Sequence, residues 1–186
     1  MRAALLRHPR TAALIAGTLS ATGFAPLGLW PVTLAGLAVL LVLIDLAPDR
    51  RAAFTRGWLF GVGNFSLSLN WIAFAFTFQV MMPPWFGYAA VLLLSLYLAL
   101  YPALATLALW WASRRFALPL FSRILLFAPL WLASEYLRAT LFTGFAWNPL
   151  GVVALPTGLA IASTLIGTYG LGALVILASG IPLLLL

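Results

Sequence analysis

Cysteine and lysine are both absent from the 186 residues, acidic side chains number three, and histidine occurs once, at His8. Without a thiol, disulfides, thiolate metal sites and a cysteine nucleophile are excluded within this chain. A lone histidine makes metal chemistry a poor expectation, and nothing in the sequence calls for a cofactor. The net charge of +7 comes entirely from arginine. Charged residues make up only 7% of the chain and hydrophobic ones 65%, far from the roughly 25% and 45–50% of a soluble domain.

What is present is long apolar chain. Arg56 and Arg114 are separated by 57 residues with no formal charge, and another 48 run from Ala139 to Leu186. About 20 apolar residues span a bilayer, and charge at bilayer depth is expensive, so each run reads as membrane-crossing helices. In such a protein a basic excess sets topology rather than binding nucleic acid.

Nine of the ten arginines fall into three clusters: Arg2, Arg7 and Arg10; Arg50, Arg51 and Arg56; Arg114, Arg115 and Arg123. Clusters flanking spans mark the cytoplasmic side, so each stretch between them crosses an even number of times. The expectation is an all-α polytopic transmembrane bundle of about six spans with a cytoplasmic N-terminus. The spans fall near 5–24, 31–47, 57–78, 86–112, 124–141 and 159–182. The first pair is cramped, because Thr11 to Ile44 is 34 residues and two spans need roughly 40. It nevertheless breaks at Phe24–Pro31, where two prolines and a glycine turn the chain. The first helix is expected to borrow Leu5 and Leu6. A secretory signal peptide competes for this N-terminus, but no convincing cleavage site precedes the next span.

The second pair is expected to divide at Gln79–Trp85, and the residues from Thr143 to Gly158 are too rich in glycine and proline for a regular helix. Parity puts that loop outside the cytoplasm. The chain closes on Leu183–Leu186 with no polar anchor, so the natural product is expected to continue, the alternative being a short protein that ends here.

Several polar residues are candidates for function. Glu135 and Arg138 lie three residues apart on one helix face and can pair, either as a structural ion pair or with Arg138 serving a lipid headgroup. Asp45 and Asp49 are read as paired locally with Arg50 and Arg51 or solvated. Asn64, Ser66, Ser68 and Asn70 load the third span, with Trp71 following; interhelical hydrogen bonding competes with the lining of a polar cavity. Gly57 and Gly61 offer a small-residue packing face. Trp147, in the loop Thr143–Gly151, reads on its own as an interfacial anchor.

Taken together, Gly23-Phe24-Ala25-Pro26 with Trp30-Pro31, Asn70-Trp71, Glu135-Tyr136-Leu137-Arg138 and Thr143-Gly144-Phe145-Ala146-Trp147-Asn148-Pro149-Leu150-Gly151 resemble the membrane region of bacterial apolipoprotein N-acyltransferase. The order and spacing cover nearly the whole chain. Two positions depart from the family's usual loop: Ala146 stands where proline is usual, and Val152 where an aromatic is common.

The resemblance implies a multi-pass protein of the bacterial inner membrane, with loop 142–158 on the periplasmic face. It implies transfer of an acyl chain from a phospholipid donor to the N-terminal diacylglyceryl-cysteine of an apolipoprotein acceptor. The chemistry is implied to belong to a nitrilase-like domain with a Glu-Lys-Cys triad, which these residues do not contain. They are therefore expected to include no catalytic group and to be inactive alone. Trp147, Asn148, Arg138, Glu135, Asn70 and Trp71 are the implied substrate- or lipid-contacting candidates. A small multi-span transporter or channel subunit is the alternative, weakened by how few ionisable residues lie at mid-membrane. A structural scaffold comes third.

Overall fold

A computed structural model of the chain describes residues 7–78, 83, 85–142 and 144–185. Arg2, Leu5, Leu6, most of the Gln79–Trp85 turn, Thr143 and Leu186 lie outside the described residues. The described residues form helices and irregular connections, with no strand among them.

Helix α1 covers Pro9–Ser20, with proline in its first turn, where a missing N–H costs nothing. A single 3₁₀ turn, Ala21–Gly23, follows. The predicted Phe24–Pro31 break is present: Leu29 N–H returns to the Thr22 carbonyl at 2.9 Å, and Gly28 takes φ +63°, a conformation that favours glycine. Helix α2, Trp30–Asp45, carries Pro31 in its first turn. Thr33 Oγ1 donates to the Ser20 carbonyl at 2.7 Å and fastens α2 to the end of α1.

Helix α3 runs from Arg50 to Ser68. Asp49 caps it, accepting the Ala52 N–H at 2.8 Å, and forms no ion pair with Arg50 or Arg51 among the described residues. The span expected over 57–78 is not one straight helix. A short helix α4, Trp71–Ala75, and a 3₁₀ turn, Phe76–Phe78, continue at 41° to α3. The ladder slips to i−3 at the break, where Ile72 N–H bonds the Leu69 carbonyl and Ala73 N–H the Asn70 carbonyl.

Helices α5, Trp85–Leu98, and α6, Leu100–Arg115, are interrupted only at Ala99 and together form one 31-residue span. Pro102 cannot supply the N–H that would carry the ladder smoothly past that point. Helix α7 covers Leu120–Thr140 and tolerates Pro129. Two 3₁₀ segments, Leu150–Ala154 and Gly158–Ala162, lead into helix α8, Ser163–Leu184, which kinks at Gly167.

Among the described residues, three helical stretches are long and apolar enough to cross a membrane, and a fourth is added if the bent α3–α4 pair is one span; α2 is apolar but shorter. The core joins Leu37, Leu40, Phe60, Phe127, Trp131 and Ile176 from four helices. Phe60 meets Trp131 edge to face at 6.3 Å. Glycines let backbones approach. A Cβ on Gly17 would fall on the Phe60 backbone, and one on Gly61 on Ala99 and Pro102. Gly57 and Gly61 thus form the α3 face that receives α6, as the sequence suggested. Ile15, Leu93, Leu104, Leu125 and Ile181 point outward, an apolar exterior suited to hydrocarbon.

The two ends of the bundle differ in character. Arg123 pairs with Asp45 across α7 and α2, and Arg114 donates to the Asp45 carbonyl at 3.0 Å. The partner of Asp45 is therefore distant in sequence, not Arg50 or Arg51. Helix α7 then rises 21 residues, about 30 Å, from this arginine-rich end to the loop beyond Thr140.

Candidate functional site at the loop end of the bundle

The last turns of α7 present Trp131, Glu135 and Arg138 on one face, and all three are buried. Arg138 Nη2 stands 3.5 Å from Glu135 Oε1, with 3% and 2% of the two side chains exposed. Glu135 Oε1 also accepts the Leu150 N–H at 2.7 Å and the Trp131 indole N–H at 3.2 Å. The guanidinium lies over the Phe65 ring at 4.8 Å. Glu135 Oε2 and Arg138 Nε have no hydrogen-bond partner among the described residues. A pair so enclosed is shielded from solvent by the loop and the neighbouring helices.

The loop is fastened at a second point. Asn148 adopts φ +41°, which asparagine tolerates better than most residues, and its Nδ2 donates to the Ser68 carbonyl at 3.1 Å. That carbonyl lies at the end of α3, where the bend has taken it out of the regular ladder. Trp147, half-buried between these anchors, packs on the cluster of Phe65, Leu69, Ala73, Val91 and Leu98, with Phe145 at 4.7 Å.

Glu135, Arg138, Asn64 and Asn148 line one small cavity of about 20 Å³ together with Ser20, Thr33 and apolar neighbours such as Leu37 and Phe60, room for a single water. Val153 and Ala154 of the following 3₁₀ turn help line a second, apolar cavity of about 170 Å³ with Trp30, Leu34, Leu171 and Leu174. Asn70 and Trp71 do not join this cluster. They sit exposed at the α3–α4 break, with Trp71 and Phe74 turned outward. The interhelical hydrogen bonds expected of the polar third span are not made by Ser66 and Ser68, whose buried hydroxyls have no partner among the described residues. No three His, Asp or Glu side chains stand together as a metal site among the described residues.

Two partners were not singled out from sequence. Trp131 is four residues before Glu135 and so shares its face, a spacing that could have pointed to it. The Leu150 N–H carries no side-chain signal at all.

The profile of the apolipoprotein N-acyltransferase N-terminal domain matches residues 16–181, which include every element of this cluster. The chain belongs to that family. It is 36% identical over 182 residues to the apolipoprotein N-acyltransferase of Ralstonia nicotianae, covering 96% of this chain and 34% of that protein. It is 37% identical over 182 residues to that of Rhodopseudomonas palustris, covering 94% and 33%. For the Nitrosomonas europaea protein the identity is 34% over 169 residues, covering 90% and 33%. The chain thus spans about a third of the length of the curated relatives it matches.

Proposed function

We propose that this chain is the membrane-embedded N-terminal part of an inner-membrane enzyme that moves an acyl chain from a phospholipid to the N-terminal diacylglyceryl-cysteine of lipoproteins. In this reading the catalytic groups belong to a nitrilase-like domain outside these 186 residues, which do not catalyse alone. Both substrates are lipids. The membrane part then has to hold acyl chains among its helices and offer a fixed surface where headgroups meet the catalytic domain.

The observation that carries the reading is the double fastening of the loop, by Glu135 to the Leu150 N–H and by Asn148 to the Ser68 carbonyl. A loop serving only as a connection needs no buried ion pair to position it. We assign Glu135, Arg138 and Asn148 to holding the loop, and Trp147 to contact with an acyl chain, a task suited to a large rigid ring. Asn70 and Trp71 are assigned to the lipid-facing corner beside it. Arg138 could meet a lipid phosphate through charge-assisted hydrogen bonds when the loop opens.

The reading puts the arginine-rich end in the cytoplasm and the loop at the periplasmic face. The absence of cysteine makes the test clean. Single-cysteine variants Ala52→Cys and Ala146→Cys are exposed to a membrane-impermeant maleimide in spheroplasts. Labelling of the second without the first supports the reading; labelling of position 52 with position 146 protected overturns it.

A further inference from the structure

The arginine-rich end carries a cavity that acyl transfer at the opposite end does not use. It measures about 370 Å³ and lies between the start of α1 and the start of α3, with Arg10, Asp49, Arg51, Thr55 and Arg56 in its walls. Three arginines and one carboxylate thus line it. Asp49 accepts the Ala52 N–H at 2.8 Å as the cap of α3, and its single negative charge leaves the three arginines in excess. Arg56 is buried and donates through Nη1 to the Leu43 carbonyl, which holds its charge in place at the cavity wall. Arg10 and Arg51 are exposed. None of the three arginines forms an ion pair among the described residues, where the pairs are Arg123 with Asp45 and Arg138 with Glu135.

The chemistry this cavity lacks is a compact anion with several acceptor oxygens. A phosphate group has that character, and arginine matches it through paired N–H donors. Its position selects the form of the phosphate. Leu14 lies one turn above Arg10 on the same face of α1 and is exposed, so an apolar surface continues from the charged mouth toward the hydrocarbon. A free anion has no use for that surface; an acyl chain does.

We propose that this cavity binds the phosphodiester headgroup of an anionic membrane lipid, with Arg10, Arg51 and Arg56 supplying the charge and the outer face of α1 receiving the tail. Basic pockets between helices on one membrane face take anionic headgroups in this way. The proposal rests on the bundle being in a membrane, not on which side faces the cytoplasm, nor on acyl transfer.

The test is native mass spectrometry of this 186-residue chain in detergent, titrated with phosphatidylglycerol and with phosphatidylcholine of identical acyl chains. Phosphatidylglycerol is expected to bind several-fold more tightly. Arg10→Gln with Arg51→Gln should weaken it by roughly fivefold per arginine removed, while Arg50→Gln, a neighbouring exposed arginine outside the cavity wall, should leave the preference intact. Equal retention of the two lipids by the unmodified chain overturns the proposal without reference to any variant. So does an equal loss in the Arg50→Gln control, which would mean diffuse surface charge. Displacement of phosphatidylglycerol by low-millimolar inorganic phosphate would assign the cavity to a free anion and overturn the lipid assignment. Circular dichroism confirms that each variant remains folded.

Discussion

Glu135 accepts the backbone N–H of Leu150 at 2.7 Å, so a carboxylate buried on α7 holds a loop residue fifteen positions further along the chain. The same oxygen faces the Arg138 guanidinium. One side chain therefore neutralises a buried cation and sets the height of the loop above the helices.

Removing that side chain should be costly. Glu135→Ala strands the buried Arg138 charge and frees the Leu150 N–H, and breaking a buried pair from one side costs about 3–5 kcal/mol. Thermal unfolding in detergent is expected to fall markedly for Glu135→Ala. Replacing both partners together, as Glu135→Gln with Arg138→Met, should cost less than the two single changes summed. Strict additivity would mean the two side chains do not work as a pair.

Asn148 offers a way to separate backbone from side chain. Asn148→Ala loses the bond to the Ser68 carbonyl and puts a less tolerant residue at φ +41°; Asn148→Gly loses only the bond. The bond is worth about 0.5–1.5 kcal/mol and the left-handed conformation about 1–2 kcal/mol more. Limited proteolysis of the loop should therefore rise in the order unmodified, glycine, alanine. Identical rates for the two variants would show that the conformation contributes nothing.

Trp147→Ala, made at the matching position of a full-length family member, should reduce acyl transfer several-fold while leaving protein abundance in the membrane nearly unchanged. Parallel losses in both quantities would return Trp147 to the role of a simple anchor.

Glycine packing predicts a contrast. A methyl group on Gly17 would meet the backbone of Phe60, which cannot move aside cheaply, whereas one on Gly158 meets nothing within 4 Å. Gly17→Ala should destabilise by about 1–3 kcal/mol, as overpacking does, and Gly158→Ala should be near neutral. Comparing the fraction of each variant recovered as a monodisperse species after heating checks this; equal recovery would mean α1 and α3 separate easily.

The sequence revealed what local chemistry controls. Two prolines and a glycine sufficed to find the turn between α1 and α2, and the richness of glycine and proline after Thr143 sufficed to exclude a regular helix there. Gly57 and Gly61 were readable as a packing face because small residues four apart share one side of a helix. The bend after Ser68 was not readable, since Leu69, Asn70 and Trp71 include neither proline nor glycine, the residues that announce a break in a helix. Nor was the choice of Arg123 by Asp45, which depends on α2 and α7 lying side by side. The grip of Glu135 on Leu150 escaped for a simpler reason: every residue except proline has a backbone N–H, so a sequence does not advertise which one will be used.

The swerve after Ser68 sets up a competition for one oxygen atom. In an unbroken helix the Ser68 carbonyl would receive the Ile72 N–H, yet that donor has moved to Leu69, and the Asn148 amide has taken the vacated position. Straightening the third helix would bring Ile72 back as a rival for the same acceptor and loosen the loop's grip. The bend of the third helix and the placement of the tryptophan loop thus converge on a single backbone acceptor.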